Sequence, residues 1–218
     1  MEASTRIFEG EQAGLFYRAR RADPPGAPTV VLLHGLGGDE KSMWVFEHAL
    51  PPSWAVAAPR GLRAASPGGY SWAPRLGYAH LPDFDGAVRR VEPWLHAVVT
   101  QLDSDAGRTL WMGFSQGAAL AFAAVLSGRA AIGLVSLAGF VPEGSTQRLP
   151  GLPVFWAHGR RDQDVPIERA RADVDRLQSL GAEVEFCEAD VNHRVGAPCL
   201  TALRAWLDRL SGGTPGVS

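Results

Sequence analysis

Thr109-Leu110-Trp111-Met112-Gly113-Phe114-Ser115-Gln116-Gly117-Ala118-Ala119-Leu120-Ala121 is the stretch whose reading decides the fold. An apolar, strand-like run enters Gly113, a tight turn carries Ser115 between two glycines, and an Ala/Leu-rich helical run leaves. That is the sequence form of a nucleophile elbow, a sharp strand-to-helix turn that holds a serine hydroxyl clear of a sheet. So tight a turn leaves no room for side chains on either side of the serine, hence the glycines. It also brings the unpaired N–H groups at the start of the next helix beside the hydroxyl.

Outward from the elbow, the chain alternates strands and helices. Thr29 to His34, Trp54 to Ala58, Ala131 to Ala138 and Pro153 to Ala157 are continuous apolar runs, each closed by Gly or Pro or by a His-Gly pair. Strands apolar on both faces belong in a parallel sheet covered by helices on both sides. Two short strands precede them near Arg6-Ile7-Phe8 and Leu15 to Arg18, and Glu183 to Cys187 is the last strand. Helices are expected over Asp39–Leu50, from Phe84 to Leu102, after Pro166 as far as Gly181, and from Pro198. In the second of these, Ala87, Val88, Val91, Trp94, Leu95, Val98 and Val99 recur with helical period, and Pro93 is expected to kink or split the helix. Arg60 to Pro82 is a long Gly- and Pro-rich loop with aromatics, a length that points to function. Residues 1–211 therefore read as a single catalytic domain, and 212–218 as a disordered tail.

A chain of 218 residues, 46% apolar and 20% charged, can bury one substantial core. A net charge of -2, with scattered arginines, gives no footprint for nucleic acid. No run of about 18 apolar residues is present to span a bilayer, and Met1 to Arg6 lacks the apolar core of a signal peptide. The expectation is a cytoplasmic protein without stable membrane insertion. Its oligomeric state is open, a homodimer included. Cys187 and Cys199 allow one disulfide at most; with no zinc or redox spacing, buried inert thiols are expected.

In a sheet of this kind chemistry gathers at the carboxyl ends of the strands, where His34-Gly35, Ser115, Gly139-Phe140 and His158-Gly159 all fall. A serine hydroxyl needs a base, and the base needs a carboxylate to fix its tautomer. In the elbow architecture these follow in the order Ser, Asp or Glu, His. Asp162, after the strand ending at Ala157, and His193, after the last strand, fit that order. Asp164 competes with Asp162, and either could instead cap the helix near Pro166. His34 and His158 are read as loop-orienting, and His48, His80 and His96 have no matching acid. The oxyanion requires two N–H donors, expected from Gln116 and from Leu36.

His34-Gly35-Leu36-Gly37-Gly38, Pro59-Arg60-Gly61, Gly113 to Gly117, His158 to Pro166 and the late His193 together resemble the phospholipase/carboxylesterase group of α/β-hydrolases, which includes the acyl-protein thioesterases. The likeness spans roughly residues 14 to 210. It implies nucleophile Ser115, acid Asp162, base His193 and oxyanion donors Leu36 and Gln116, with Trp72 as the aromatic of the family's substrate loop. Ala118, where many members have glycine, and Asn192, before the base, depart from the pattern.

Only about a dozen residues separate Ala138 from Pro153, too few for a cap domain. An open groove is expected, bounded by Leu36, Tyr70, Trp72, Phe140-Val141 and Val165. The reading is a serine carboxylesterase for small or medium acyl esters, using neither metal nor organic cofactor. Alternatives are an acyl-protein thioesterase or lysophospholipase-like activity, an acyltransferase, and a non-catalytic binding module on the same fold.

Overall fold

The computed structural model of the protein describes residues 7–74, 80–144 and 146–212. The expected tail, beyond Gly212, and Tyr78 of the long loop lie outside these residues.

Eight strands form the main sheet: β1 (Ile7–Gln12), β2 (Leu15–Arg20), β3 (Ala27–Leu33), β4 (Ala55–Pro59), β7 (Ser104–Phe114), β8 (Gly133–Leu137), β9 (Pro153–Gly159) and β10 (Glu183–Ala189). A separate two-stranded hairpin joins β5 (Arg63–Ala64) to β6 (Tyr70–Ser71). The main sheet runs in the order β1-β2-β4-β3-β7-β8-β9-β10. Every pair from β4 to β10 is parallel, while β2 joins β1 and β4 antiparallel.

β3, β4 and β8 are buried along their whole length, which is why they read as unbroken apolar runs. β7 begins earlier than its apolar run. Asp105 pairs with Pro28 and Thr109 with Thr29, so the residues between bulge out, and only Thr109 to Gly113 are buried.

The helices are α1 (Asp85–Gln101), α2 (Gln116–Leu126), α3 (Ile167–Ser179) and α4 (Ala197–Leu210). They cover both faces of the sheet, α1 and α2 packing together over β7 and α4 meeting the 3₁₀ segment Ser42–Ala49. That segment is not the α-helix expected over Asp39–Leu50. Its start is set by Asp39, whose Oδ1 accepts hydrogen bonds from Lys41 N, Ser42 N and Ser42 Oγ.

α1 passes unbroken through Pro93, so the expected split is corrected. Pro93 and Arg89, whose carbonyl loses its partner there, both face solvent, and Val91, Trp94, Leu95 and Val98 hold the two halves to the core. Among the described residues no helix or strand lies between β8 and β9. Among the described residues no helix is long and apolar enough to cross a membrane.

The expectation of two free thiols is also corrected: Cys187 on β10 and Cys199 on α4 form a disulfide, their Cα atoms 5.6 Å apart. Parallel β10 leads through a short turn into α4, and α4 packs back on β10, which brings together two residues 12 apart in sequence.

Candidate active site

Ser115 lies between the end of β7 and the start of α2, at φ 51°, ψ -117°. A non-glycine residue at positive φ is strained, and the surroundings must hold it there. They do so on both sides: Ser115 N–H donates to the Leu137 carbonyl on β8 at 2.9 Å, and the Ser115 carbonyl accepts from Ala118 and Ala119 in the first turn of α2. A Cβ on Gly117 would run into the carbonyl oxygens of Leu33 and His34, and one on Gly113 into the backbone of Gly117 and Ala118. The glycines let β7, α2 and the end of β3 meet at backbone distance.

At the same edge, Nδ1 of His193 and Oδ2 of Asp162 are 2.7 Å apart. The other oxygen of Asp162 accepts from the N–H groups of Asp164 and Val165 at 3.0 and 2.9 Å. Its carboxylate is thus locked, fully buried, in the turn after β9. Asp162 does not cap α3, whose N-cap is Pro166, and Asp164 is exposed. The Phe114 ring packs 4.9 Å from the His193 ring, putting the imidazole against the residue that precedes Ser115.

Leu36 sits in the turn after β3. Gly35 passes so close that a Cβ there would stand 3.4 Å from Ser115 Cβ. Three side chains hold this turn: His34, read from the sequence as loop-orienting, and Trp72 and Gln116, whose side-chain roles here the sequence does not show. His34 Nε2 accepts from Gly61 N–H at 2.9 Å, so Nδ1 carries the proton and donates to the Gly35 carbonyl at 2.7 Å. Trp72 gives its indole N–H to the His34 carbonyl at 2.8 Å. The Gln116 side chain accepts from Trp72 N–H at 2.9 Å and Ser71 Oγ at 3.1 Å, tying α2 to the hairpin loop. Tyr70 completes the brace: its carbonyl accepts from Gly37 N–H, and its N–H donates to the Gly38 carbonyl. Among the described residues, the N–H groups of Leu36 and Gln116 have no acceptor.

The expected groove is corrected in its walls. Trp72 is 1% exposed, and Phe140 and Val165 are also buried, so none of the three forms an open groove wall in this structure. Tyr70 is half-buried with its ring under the Arg60 guanidinium, 4.8 Å away, which Glu40 holds through two hydrogen bonds. Trp72 and Tyr70 are taken up by partners in the scaffold, and Phe140 and Val165 by the hydrophobic core. The groove that does open beside Leu36 and Phe114, about 590 Å³, is walled by Met43, Val45, Phe46, Val195 and Leu200. Leu36 and Val45, 45% and 63% exposed, are two of its apolar residues left open to solvent.

A family model described as Phospholipase/Carboxylesterase matches residues 19–211. The chain belongs to that family. The carboxylesterase of Bacillus cereus superposes with a TM-score of 0.81 at 20% identity, over 90% of this chain and 94% of that one. The Mesorhizobium loti carboxylesterase gives 0.81 at 21% identity, over 93% and 98%. A phospholipase/carboxylesterase of Dyadobacter fermentans gives 0.67 at 20%, over 90% and 95%. At these identities the likeness shows the α/β-hydrolase fold. None of the curated proteins matches the chain.

Within this phospholipase/carboxylesterase chain, ligand atoms of Asp162, Asp164 and His193 lie within 4.8 Å of one another, an arrangement that could hold a cation. Nδ1 of His193 and Oδ2 of Asp162 already satisfy each other, however, which suits an acid–base pair better than a ligand set.

Two other histidines support the family fold in neutral form. His158 Nδ1 accepts from the Trp156 indole at 3.2 Å, and its Nε2 donates to the Val165 carbonyl at 2.8 Å. Burial pushes the pKa of both His34 and His158 below the ordinary value. The unfolded chain takes up these protons near pH 6.5, and the fold resists them. Stability is therefore complete above about pH 6.5 and falls as the pH drops below it, by up to about 1.4 kcal/mol per pH unit for each histidine. Urea unfolding at pH 7.5 and 5.5 is expected to give a lower midpoint at 5.5. In the His34→Gln variant the drop should shrink; an unchanged drop would contradict the assignment to His34.

Proposed function

We propose that the protein is a serine carboxylic-ester hydrolase working through an acyl-enzyme on Ser115. The observation that carries this reading is the His193–Asp162 hydrogen bond at the sheet edge where the strained turn presents Ser115. With Nδ1–H donated to Asp162, Nε2 of His193 is the free lone pair. It takes the Ser115 proton as Oγ attacks the ester carbonyl, and returns it to the leaving alcohol. Asp162 fixes that tautomer and stabilises the imidazolium. The N–H groups of Leu36 and Gln116, without other acceptors, receive the charge on the carbonyl oxygen. Water, deprotonated by His193, then attacks the acyl carbonyl, and the bond to Ser115 Oγ breaks as the imidazolium returns the proton to Oγ and the acid leaves.

The groove beside Leu36 suits an apolar acyl chain, with short and medium esters as the natural first substrates. Thioester carbonyls would react through the same atoms. A fluorophosphonate forms its adduct only with an activated serine, so peptide mass spectrometry is expected to place the label on Ser115, with matching loss of p-nitrophenyl butyrate turnover. Turnover that persists after complete labelling, or a label elsewhere, would defeat the proposal.

A further inference from the structure

His193 stands midway in sequence between Cys187 and Cys199, so the disulfide closes a covalent ring around it. We infer that Cys187 and Cys199 are a positioning pair for this imidazole and that hydrolysis depends on their oxidation state. The inference rests on the proposed role of His193 as base.

The ring is fastened unevenly. Upstream of His193 the backbone is held to the loop after β9: Arg160 N–H donates to the Ala189 carbonyl at 2.8 Å and Arg161 N–H to that of Val191 at 3.0 Å. The backbone of Val191 and Asn192 also lies where a Cβ on Gly159 would stand. Downstream, Arg194 N–H bonds back to the Asn192 carbonyl, Gly196 packs so closely on the end of β10 that a Cβ on it would stand 2.4 Å from Ala189 Cβ, and no strand or helix forms before Ala197. α4 packs on β9, β10 and the Ser42–Ala49 segment with Leu203, Trp206 and Leu207 buried, contacts that are all non-covalent. The sulfur bridge is the one covalent fixture, pinning the first turns of α4 to β10. His193 itself is held by the Asp162 hydrogen bond and packs on the Phe114 ring. Releasing the downstream end therefore loosens the position of Nε2 toward Ser115, and misplacement by about 1 Å can cost on the order of 10²-fold.

Disulfides persist in oxidising compartments and are opened in reducing ones. The same chain would thus be fully active in the first and attenuated in the second. Opening is a two-electron exchange: dithiothreitol gives two electrons and two protons to the Cys187–Cys199 bond, leaving two thiols, and becomes its own cyclic disulfide. Cys187 is half-buried and Cys199 buried, so attack occurs through Cys187.

The test compares oxidised and dithiothreitol-reduced wild type on p-nitrophenyl acetate, with thiol titration to establish the state and circular dichroism to confirm the fold. Reduction is expected to lower kcat by about 10- to 100-fold with KM little changed, and reoxidation should restore it. The Cys187→Ala/Cys199→Ala variant should match the reduced enzyme and ignore dithiothreitol; if it does not fold, the wild-type arm decides. In a His193→Ala background, reduction should change the residual rate less than about twofold, because the effect acts through the imidazole. Equal kcat in both redox states, or the same loss with and without His193, would overturn the inference. Absence of turnover in the oxidised wild type would instead remove the esterase reading beneath it.

Discussion

Ser115→Ala is expected to lower kcat on p-nitrophenyl esters by roughly 10⁴ to 10⁶. The substitution removes Oγ and nothing else. Ala tolerates the φ of 51° about as poorly as Ser does, and the Leu137 hydrogen bond is made by the backbone, so the turn should persist. Without Oγ no acyl-enzyme can form, yet the proposed oxyanion donors, the N–H groups of Leu36 and Gln116, stay in place, which should leave a residue of about 10³ to 10⁴ over water. Wild-type Tm and substrate affinity together with lost turnover, checked by steady-state kinetics and thermal melting, is the pattern anticipated. Turnover near the wild-type rate would mean that Ser115 is not the nucleophile.

The second large effect is Asp162→Asn, expected to lower kcat by about 10⁴. The carboxylate now does two jobs with two oxygens: one receives the N–H groups of Asp164 and Val165, the other faces Nδ1–H of His193. An amide has one oxygen, and each way of placing it fails. With the oxygen toward the backbone, the NH₂ meets Nδ1 and drives the proton to Nε2, so His193 can no longer accept from Ser115. With the oxygen toward His193, the NH₂ confronts two buried donors, at about 1 to 3 kcal/mol for each N–H left unpaired. The first arrangement keeps stability and loses rate; the second also lowers Tm. A variant within tenfold of wild type would release Asp162 from this role, and Asp164→Asn would be the next measurement.

Much of this architecture was legible in the sequence because burial on both faces leaves an unmistakable mark. β3, β4, β8 and the second half of β7 had to be apolar throughout, and the Gly113 to Gly117 turn declares itself through the side chains it cannot carry. The placement of Ser115, Asp162 and His193 at one edge followed from strand ends and chain order. What could not be read depends on partners distant in sequence. Trp72 in a Gly- and Pro-rich loop reads as a wall of the substrate groove until its indole finds the His34 carbonyl, 38 residues away. Gln116 attracted notice for its N–H alone, whereas its side chain, an ordinary polar amide by type, closes the brace to Trp72. Cys187 and Cys199 have no recognisable spacing, because their meeting depends on where α4 begins and how it leans on β10. Pro93 was judged by its local cost, which solvent and the buried face of α1 together absorb.

The brace from Tyr70 through Trp72 to Gln116 has a practical meaning for anyone redesigning this protein. A loop of such length invites randomisation as a specificity dial, but here its carbonyls and indole are the mould in which the Leu36 turn sets, so libraries built at 70–72 would mostly return misshapen scaffolds. Val45, Phe46 and Val195 border the open groove and hold none of the recorded hydrogen bonds of that turn. On the proposed reading of that groove as the acyl site, substrate scope is to be retuned from that wall while the opposite one keeps its shape.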